Sequence, residues 1–408
     1  FQQVAVPFFF FVIFFYNIPF LSAQIPEENS CVACHKDYWD EVKGSIHGQQ
    51  GILCNRCHGG DPTKSDKAAA KAEGTGYIGV PDKKQIVEKC GQCHADVETM
   101  NFYGVRTDQL ARYKTSMHGK RLLLEGDEKV AACTDCHGYH DISNVADPNS
   151  SVYPANIPKT CGKCHGNRKL MDAYKLPSDI PDIYKKSVHG RALYEKKDIS
   201  VAQCASCHGG HGALPPGVKG IGDTCGKCHI NEKKNFLESV HAKLGKEKFS
   251  ECISCHGNHG VQHPSPALYE EACVECHEPQ SEEIKMGIAL DQAIRGSDET
   301  RLLAESLVKQ ASIDGIFVEE EMALLEEIKT NTLAMAPLQH TLSVSKIAQL
   351  HKKVKSASEN IRATIRQKRE NLEGRKRALI LIWIFILVMI GALWTKYKQL
   401  AHGKDKHE

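Results

Sequence analysis

Histidine follows a pair of cysteines in one fixed order, Cys-x-x-Cys-His, at nine places along the chain. Together the nine motifs use all eighteen cysteines. At this spacing two thiols can add across the two vinyl groups of one porphyrin, and the adjoining histidine can bind the porphyrin iron. The motifs therefore predict nine covalently attached haem groups of the c type. Their residues are Cys31/Cys34/His35, Cys54/Cys57/His58, Cys90/Cys93/His94, Cys133/Cys136/His137, Cys161/Cys164/His165, Cys204/Cys207/His208, Cys225/Cys228/His229, Cys252/Cys255/His256 and Cys273/Cys276/His277.

Zinc sites and disulfides are the alternatives for so many cysteines. A zinc site would combine two motifs into one set of four ligands, and nine motifs cannot be divided into pairs. Neither zinc nor a disulfide explains why a histidine follows every second cysteine. Haem attachment is therefore the favoured interpretation, and zinc and disulfides are the minor ones.

Four internal repeats carry eight of the motifs. Each repeat begins with Ser-x-His and continues with two Cys-x-x-Cys-His motifs, and the motif at Cys31 stands alone in front of them. Such periodicity is typical of an array built from one structural unit. The repeats begin at Ser45-Ile46-His47-Gly48, Ser116-Met117-His118-Gly119, Ser187-Val188-His189-Gly190 and Ser239-Val240-His241-Ala242.

Additional histidines recur in step with the motifs. In repeats two to four the first motif continues as Cys-His-Gly-x-His, whereas repeat one has Asp61 at the last position. Neutral imidazole is a common sixth ligand of haem iron. We therefore predict sixth ligands among these histidines; surface histidine, or histidine bound to a haem propionate, is the alternative. The predicted ligands are His47, His118, His189, His241, His140, His211 and His259.

Seven patterned histidines leave two of nine haems without a sixth ligand. His263 and His340 are the candidates for these positions. His351, Met100, Met171 or an iron with an open coordination position are the alternatives. The haem at Cys31 and one haem of repeat one are expected to be the exceptions, because Asp61 interrupts the pattern there.

The predicted fold class is mainly α with much irregular structure. Residues 24–279 show little hydrophobic periodicity, so we expect short helices at the motifs, joined by loops around a multihaem array. Residues 280–377 have apolar residues at helical spacing and predict a bundle or stalk of three helices, with breaks near Gly315 and Pro337.

Both ends of the sequence indicate export and membrane attachment. Residues 1–23 are predicted to be a signal peptide, with a retained anchor as the alternative. Residues 378–395 are long and apolar enough for a transmembrane helix, and residues 396–408 would form a short cytoplasmic tail. We therefore expect the haem region on the periplasmic face of the cytoplasmic membrane, in contact with the lipid bilayer.

The motifs and repeats over residues 27–279 resemble a known family, the multihaem c-type cytochromes of anaerobic respiratory chains. They are similar to the group that includes tetrahaem quinol-dehydrogenase cytochromes and periplasmic carriers. The resemblance implies low-potential haems, most with two histidine ligands, that pass electrons along the chain. It also implies partners: a membrane subunit that oxidises quinol or holds iron–sulfur or b-type centres, and other periplasmic cytochromes. The C-terminal anchor departs from the quinol-dehydrogenase type, whose anchor is N-terminal.

Two functions from different classes follow from these observations. The favoured one is electron transfer without catalysis, from a quinol-oxidising membrane partner to periplasmic or surface acceptors. The alternative is a multihaem oxidoreductase that acts on a small nitrogen or sulfur compound at an open-coordination haem. A formal net charge of +2 gives no electrostatic reason to expect a nucleic-acid partner.

Overall fold

The computed structural model describes residues 29–215, 220–245, 247–265 and 267–404. Within these ranges the regular structure consists of α-helices and short 3₁₀ turns, with no strand. The predicted fold class, mainly α with a long C-terminal helix, is therefore confirmed. The predicted signal peptide, residues 1–23, lies outside the described residues.

Spatial proximity divides the chain into two compact units, Phe1–Pro215 and Pro216–Glu408. The first unit contains the lone motif and the repeats up to the first motif of repeat three. The second contains the remaining motifs, the helical segment and the C-terminal helix. The domain limits expected from the sequence stay a prediction.

Helices in the first unit are short, because the motifs and their flanking turns interrupt the chain every few residues. They are α1 (Ser30–Cys34), α2 (Lys36–Val42), α3 (Ile46–Gln49), α4 (Cys54–His58), α5 (Lys67–Ala70), α6 (Lys83–His94), α7 (Val97–Phe102), α8 (Gln109–Thr115), α9 (Met117–Glu125), α10 (Cys133–His137), α11 (Ile157–His165), α12 (Arg168–Ala173), α13 (Ile180–Lys186), α14 (Val188–Tyr194) and α15 (Cys204–His208).

Side-chain caps, rather than a large apolar core, fix many of these short helices. Asp82 and Gln85 form a reciprocal capping box at the start of α6, and Asn167 caps α12. Val87 of α6 and Leu122 of α9 form a small buried cluster with Val130 and Ala132. So few buried aliphatic residues fit a protein region whose apolar interior is completed by bound porphyrin.

The second unit combines three short motif-bearing segments with three long helices. The bounds of its helices are α16 (Ile221–Cys225), α17 (Ile230–Phe236), α18 (Ile253–His256), α19 (Ala267–Glu271), α20 (Glu282–Ile313), α21 (Glu319–Leu338) and α22 (Val344–Lys404), with 3₁₀ turns at Ala242–Leu244, Cys273–Glu275 and Gln339–Thr341.

The long helices α20, α21 and α22 pack around one apolar core. Leu290, Ile328, Met335 and Ile361 are fully buried in it. The breaks fall where the sequence predicts them: α20 ends before Asp314, and α21 ends one residue after Pro337. The segment is therefore a bundle in its first part, with α22 extending beyond it.

The C-terminal part of α22 is long and apolar enough to cross a membrane. Its most apolar window has a mean hydropathy of 2.6 and none of that window is buried. Side chains from Leu379 to Trp394 are exposed. This surface is compatible with a membrane anchor, by length and composition.

Candidate haem-binding sites

Three of the Cys-x-x-Cys-His motifs form one-turn helices that bring all three ligands to one face. In α4, α10 and α15 the first cysteine begins the helix and the histidine ends it. Residues at positions i, i+3 and i+4 of a helix share one face, so the two thiols and the imidazole lie together. Each of these helices ends at a glycine with φ between 69° and 81°, a conformation that favours glycine.

In two motifs of the second unit, backbone hydrogen bonds to the carbonyl of the first cysteine form a tight turn. The N–H groups of Cys228 and His229 donate to the carbonyl of Cys225, at 3.2 and 3.0 Å. Those of Cys276 and His277 donate to the carbonyl of Cys273, at 3.2 and 2.9 Å. These bonds make one tight turn, so the three ligands of each motif stay together although the regular helices here are shorter or absent.

The two cysteines of a motif differ in exposure. The first cysteine is partly buried in all nine motifs, whereas the second is exposed in seven. A porphyrin vinyl group must reach each sulfur to form a thioether, so a sulfur at the polypeptide surface is compatible with attachment. The assignment of these cysteines to haem stays a prediction. The exposed second cysteines are Cys34, Cys57, Cys93, Cys207, Cys228, Cys255 and Cys276.

The Ser-x-His-Gly elements place a second set of histidines near helix N-termini. The hydroxyls of Ser45, Ser116 and Ser187 cap α3, α9 and α14 by accepting the N–H of the following glycine, at 3.0, 2.9 and 3.0 Å. These serines are buried, so the caps hold the start of each helix firmly. In repeat four Ser239 accepts the N–H of Ala242 at 3.2 Å, and a 3₁₀ turn follows.

The glycine of this element allows a close approach between two helices. A Cβ added at Gly119 would lie 1.9 Å from the carbonyl oxygen of Tyr113, and one at Gly190 would lie 2.0 Å from that of Tyr184. No side chain fits at such distances. The glycine therefore lets the preceding helix run directly into the histidine-bearing one.

Histidines of the motifs face histidines of the second set across short gaps. Ring centroids in these pairs are 5.9–6.2 Å apart. The pairs are His47–His94 at 6.0 Å, His118–His165 at 6.2 Å, His58–His140 at 6.2 Å, His137–His211 at 5.9 Å, His241–His277 at 6.1 Å and His256–His340 at 6.2 Å.

These separations match the space that one metal ion needs between two imidazoles. Metal–imidazole nitrogen bonds are about 2 Å long, so two axial rings on one iron place their centroids about 6 Å apart. The fit holds for pairs in both compact units. The residues present are therefore compatible with haem iron between the two rings of each pair.

The position of a histidine within its repeat determines which motif it faces. A histidine from Ser-x-His faces the second motif of its own repeat: His47 faces His94, and His118 faces His165. A histidine from Cys-His-Gly-x-His faces the first motif of the preceding repeat, as His140 does with His58.

In the last repeat, the first motif has His256, and the histidine that faces it is His340. Both motif histidines of repeat one, His58 and His94, face another histidine. The histidine facing His58 comes from the next repeat, although Asp61 interrupts the pattern in repeat one; the sixth ligands there stay a prediction.

Several sequence candidates lie elsewhere. His263 is exposed, and its Nδ1 donates to the carbonyl of Pro264 at 2.9 Å. His351 lies inside the bundle, where Nδ1 is 2.7 Å from the hydroxyl of Ser297. Met100 and Met171 are buried on α7 and α12.

Two predicted sixth ligands occupy the positions that the repeats give them. His189 lies on α14 behind the cap of Ser187, and His259 follows the turn at Gly257. Both stay predictions as ligands.

Three further motif histidines lie at the ends of their turns. His35 is exposed at the end of α1, with its ring 6.1 Å from that of Tyr38. Nδ1 of His208 donates to the carbonyl of Leu214 at 3.1 Å. His229 is exposed between α16 and α17. The sixth ligands of the haems at these three motifs stay a prediction.

Burial keeps many of the paired imidazoles neutral, which is the form that binds a metal. Desolvation lowers the pKa of His94 and His118, and it lowers that of His137 to about 4. It also lowers the pKa of His47, His165, His211, His241 and His256.

Three paired histidines are also held through their second ring nitrogen, a feature that the sequence did not indicate. Nδ1 of His58 donates to the carbonyl of Gly79 at 2.7 Å, and Nδ1 of His340 donates to that of Pro337 at 3.1 Å. Nδ1 of His140 donates to a carboxylate oxygen of Glu41 at 3.2 Å. Such bonds orient an imidazole toward its metal and tune its basicity.

Cysteines of neighbouring motifs are close together and link the motifs into a series. Cys90 lies beside Cys133, Cys161 beside Cys204 and Cys225 beside Cys252, close enough that the second thiol of each pair raises the pKa of the first. Over a longer range, Cys31 raises the pKa of Cys54, Cys93 that of Cys57, Cys164 that of Cys136 and Cys273 that of Cys255, in addition to the larger effect of burial. Six consecutive motifs in the first unit and three in the second are thus neighbours in chain order.

Disulfides and zinc sites are the alternative interpretations of the cysteines, and the described ranges show neither arrangement. None of the eighteen cysteines forms a disulfide there. In the same ranges no group of three or more histidine, cysteine, aspartate or glutamate side chains is arranged around a common metal position.

Comparison with known proteins gives one match. No curated protein and no solved structure matches the chain significantly. Residues 46–166 contain four of the nine motifs and the pairs His47–His94, His58–His140 and His118–His165. This segment matches the family model of cytochrome c3, which supports a multihaem c-type cytochrome with covalently bound haem c and a role in electron transfer.

Proposed function

We propose that the chain is a membrane-anchored electron carrier with nine c-type haems, one on each Cys-x-x-Cys-His motif. Haem iron supplies one-electron redox chemistry without bond making. The chain's own residues fix each porphyrin through two thioether bonds and offer the motif histidine as one axial ligand. The proposed sixth ligands are His47, His118, His140, His189, His211, His241, His259 and His340, and His263 stays a prediction.

The series of neighbouring motifs is the observation that carries this proposal. Within each compact unit successive motifs along the chain have cysteines close enough to influence one another's pKa. Porphyrins attached at adjoining cysteines are held side by side. A site for substrate chemistry would need an open coordination position on one iron with acid and base groups around it, whereas a relay needs this repeated proximity.

The second axial ligand supports the same conclusion. A histidine on each side leaves no open position on the iron, so small molecules are kept from binding there. Six motif histidines face such a partner in the structure. The arrangement suits electron transfer better than reduction of a nitrogen or sulfur compound.

The C-terminal helix supports attachment to a lipid bilayer. Its exposed apolar surface would lie in the membrane and hold the haem region on the periplasmic side, because haem attachment of this kind follows export. The proposed electron donor is a membrane subunit that oxidises quinol or holds iron–sulfur or b-type centres. The proposed acceptors are periplasmic or surface acceptors, among them other periplasmic cytochromes.

Co-purification and reduction kinetics test this function. The full chain is isolated from gently solubilised membranes, its co-purifying subunits are identified, and haem reduction on addition of quinol is followed by absorbance. We expect a quinone-reactive or iron–sulfur subunit, with reduction that is lost when this subunit is removed. Sustained turnover of nitrite or hydroxylamine by the isolated chain would contradict the carrier function.

A further inference from the structure

We propose that Glu41 is a positioning residue for His140 and that its carboxylate lowers the reduction potential of the haem on Cys54 and Cys57. The inference rests on the proposed binding of this haem between His58 and His140. It goes further by assigning to one residue outside the motifs a control over one step of the relay.

Glu41 contacts the imidazole that would be the sixth ligand of this haem. Its Oε2 accepts a hydrogen bond from Nδ1 of His140 at 3.2 Å, while the ring of His140 lies 6.2 Å from that of His58. Glu41 belongs to α2, which begins directly after the lone motif, whereas His140 belongs to repeat two. The contact therefore joins two parts of the chain that are distant in sequence.

Aromatic rings hold the same imidazole on two further sides. The ring of Tyr38, one turn before Glu41 on α2, meets that of His140 edge-on at 5.0 Å. The ring of Tyr139 meets it edge-on at 5.1 Å. A backbone hydrogen bond of 2.8 Å from Ile46 to the carbonyl of Ile142 ties the loop after His140 to α3. These contacts keep the imidazole and the carboxylate in register.

The group that accepts the hydrogen bond from His140 is a charged carboxylate, whereas His58 and His340 donate to neutral backbone carbonyls. His58, on the opposite side of the same gap, donates to the neutral carbonyl of Gly79 at 2.7 Å. His340 also donates to a carbonyl. A second carboxylate, that of Glu283, is 3.9 Å from Nδ1 of His277, too far for a hydrogen bond.

A charged acceptor on an axial imidazole shifts electron density toward the iron. The N–H···O⁻ bond gives the ring partial imidazolate character, and a more basic ligand favours the ferric over the ferrous state. The nearby negative charge acts in the same direction. About half of the Glu41 side chain is exposed, so water weakens the charge effect but leaves the hydrogen bond in place.

This haem would then be an uphill step near one end of the series. The cysteines that would hold it lie near Cys31 on one side and near Cys93 on the other. Electrons entering a partly reduced protein would avoid it, and transfer between the lone motif and the rest of the first unit would be slowed. Glu41 would thus set how readily the lone haem exchanges electrons with the array.

Redox titration of the holoprotein with Glu41→Gln tests the inference. We expect one haem to become easier to reduce, by about tenfold in its one-electron equilibrium constant, or ~59 mV. Its low-spin electron paramagnetic resonance signal should shift as the ligand loses imidazolate character. Glu41→Asp keeps the charge but shortens the side chain, and should give a smaller change of the same sign.

Glu283→Gln is a matched control. It removes the same charge from a side chain that is equally exposed, 51% in both cases, and close to an axial histidine, but without a hydrogen bond. A smaller shift in this variant than in Glu41→Gln supports the inference. Equal shifts, or no shift in Glu41→Gln while intact mass shows all haems in place, would overturn it. A wild-type protein that carries no haem would instead refute the proposed function.

Discussion

His340 faces His256 with 6.2 Å between ring centroids, although His256 ends α18 and His340 lies in the turn between α21 and α22. Two further contacts hold this turn against the last repeats. The hydroxyl of Tyr269 bonds Gln339, and Lys346 pairs with Glu238 at 2.6 Å. The helical bundle is therefore attached to the haem-binding segments of its unit, and its His340 takes the position that a histidine of a following repeat would have.

Replacement of His340 by alanine is expected to open the haem on Cys252 and Cys255. Loss of the second imidazole leaves the iron with a vacant position, so one additional ferric haem should become high-spin and bind cyanide. Electron paramagnetic resonance with cyanide titration measures both effects. His351→Ala is the matched control, since His351 belongs to the same bundle but bonds Ser297. Identical spectra for the two variants would show that His340 is not a ligand.

Replacement of Gly119 by alanine is expected to destabilise the second repeat. The added methyl group would overlap the carbonyl of Tyr113, and overpacking of this kind costs about 1–3 kcal/mol. The shift of α9 should also displace His118 from His165. Thermal unfolding and the spin state of the holoprotein measure the two consequences.

Gly210→Ala provides the comparison for this substitution. A Cβ at Gly210 would meet nothing within 4 Å, and Tyr139 occupies the equivalent position in repeat two. We expect a melting temperature close to that of the wild type. If Gly119→Ala is tolerated as well as Gly210→Ala, the close helix approach does not position the histidine.

Replacement of Lys368 by methionine is expected to destabilise the bundle. Lys368 Nζ lies 2.8 Å from Glu321, whose side chain is 1% exposed, so the variant leaves a buried carboxylate without its cation. Breaking a buried pair in this way costs about 3 kcal/mol. Hydrogen exchange at the amides of α21 measures the loss locally. Lys376→Met removes an exposed pair with Glu373 and should change exchange little; equal effects would contradict the burial argument.

The same pair predicts how the stability of the bundle varies with pH. Burial raises the pKa of Glu321, but hydrogen bonds from Lys368 and the backbone outweigh burial, so its folded pKa lies below 4.5. The hydrogen bond to Glu321 raises the pKa of Lys368 above 10.5. The stabilisation is therefore complete between these values, is lost as pH falls through the lowered pKa of Glu321, and is lost as pH rises through the raised pKa of Lys368.

A pH series of hydrogen exchange in wild type and Lys368→Met checks this dependence. Protection of α21 in the wild type should decline at acidic pH below 4.5, and the difference between the two proteins should shrink there. A difference that stays constant from neutral to strongly acidic pH would show that the pair does not stabilise the fold.

The motifs and the long helices were predictable because local rules determine them. Cys-x-x-Cys-His needs one helical turn to align its ligands, and α20, α21 and α22 follow apolar spacing up to breaks at Gly315 and Pro337. The short helices of the first unit follow from frequent caps and turns. These features depend on residues that are close in sequence.

The pairing of the histidines could not be read from the sequence, because it depends on how the repeats pack. Asp61 suggested a defect in repeat one, yet His58 receives its partner from the loop at His140. The sequence offered both His340 and His351 as possible ligands, and only tertiary contacts place the first beside His256 and the second beside Ser297. The hydrogen bond from His140 to Glu41 likewise joins residues with no shared motif.

Intact-mass analysis of the mature protein, produced in a host competent for c-type cytochrome maturation, tests the central claim most directly. The account predicts the polypeptide mass plus nine haems, with eighteen cysteines unavailable to thiol reagents. A polypeptide with free thiols and no haem, or with bound zinc in place of pigment, would contradict it.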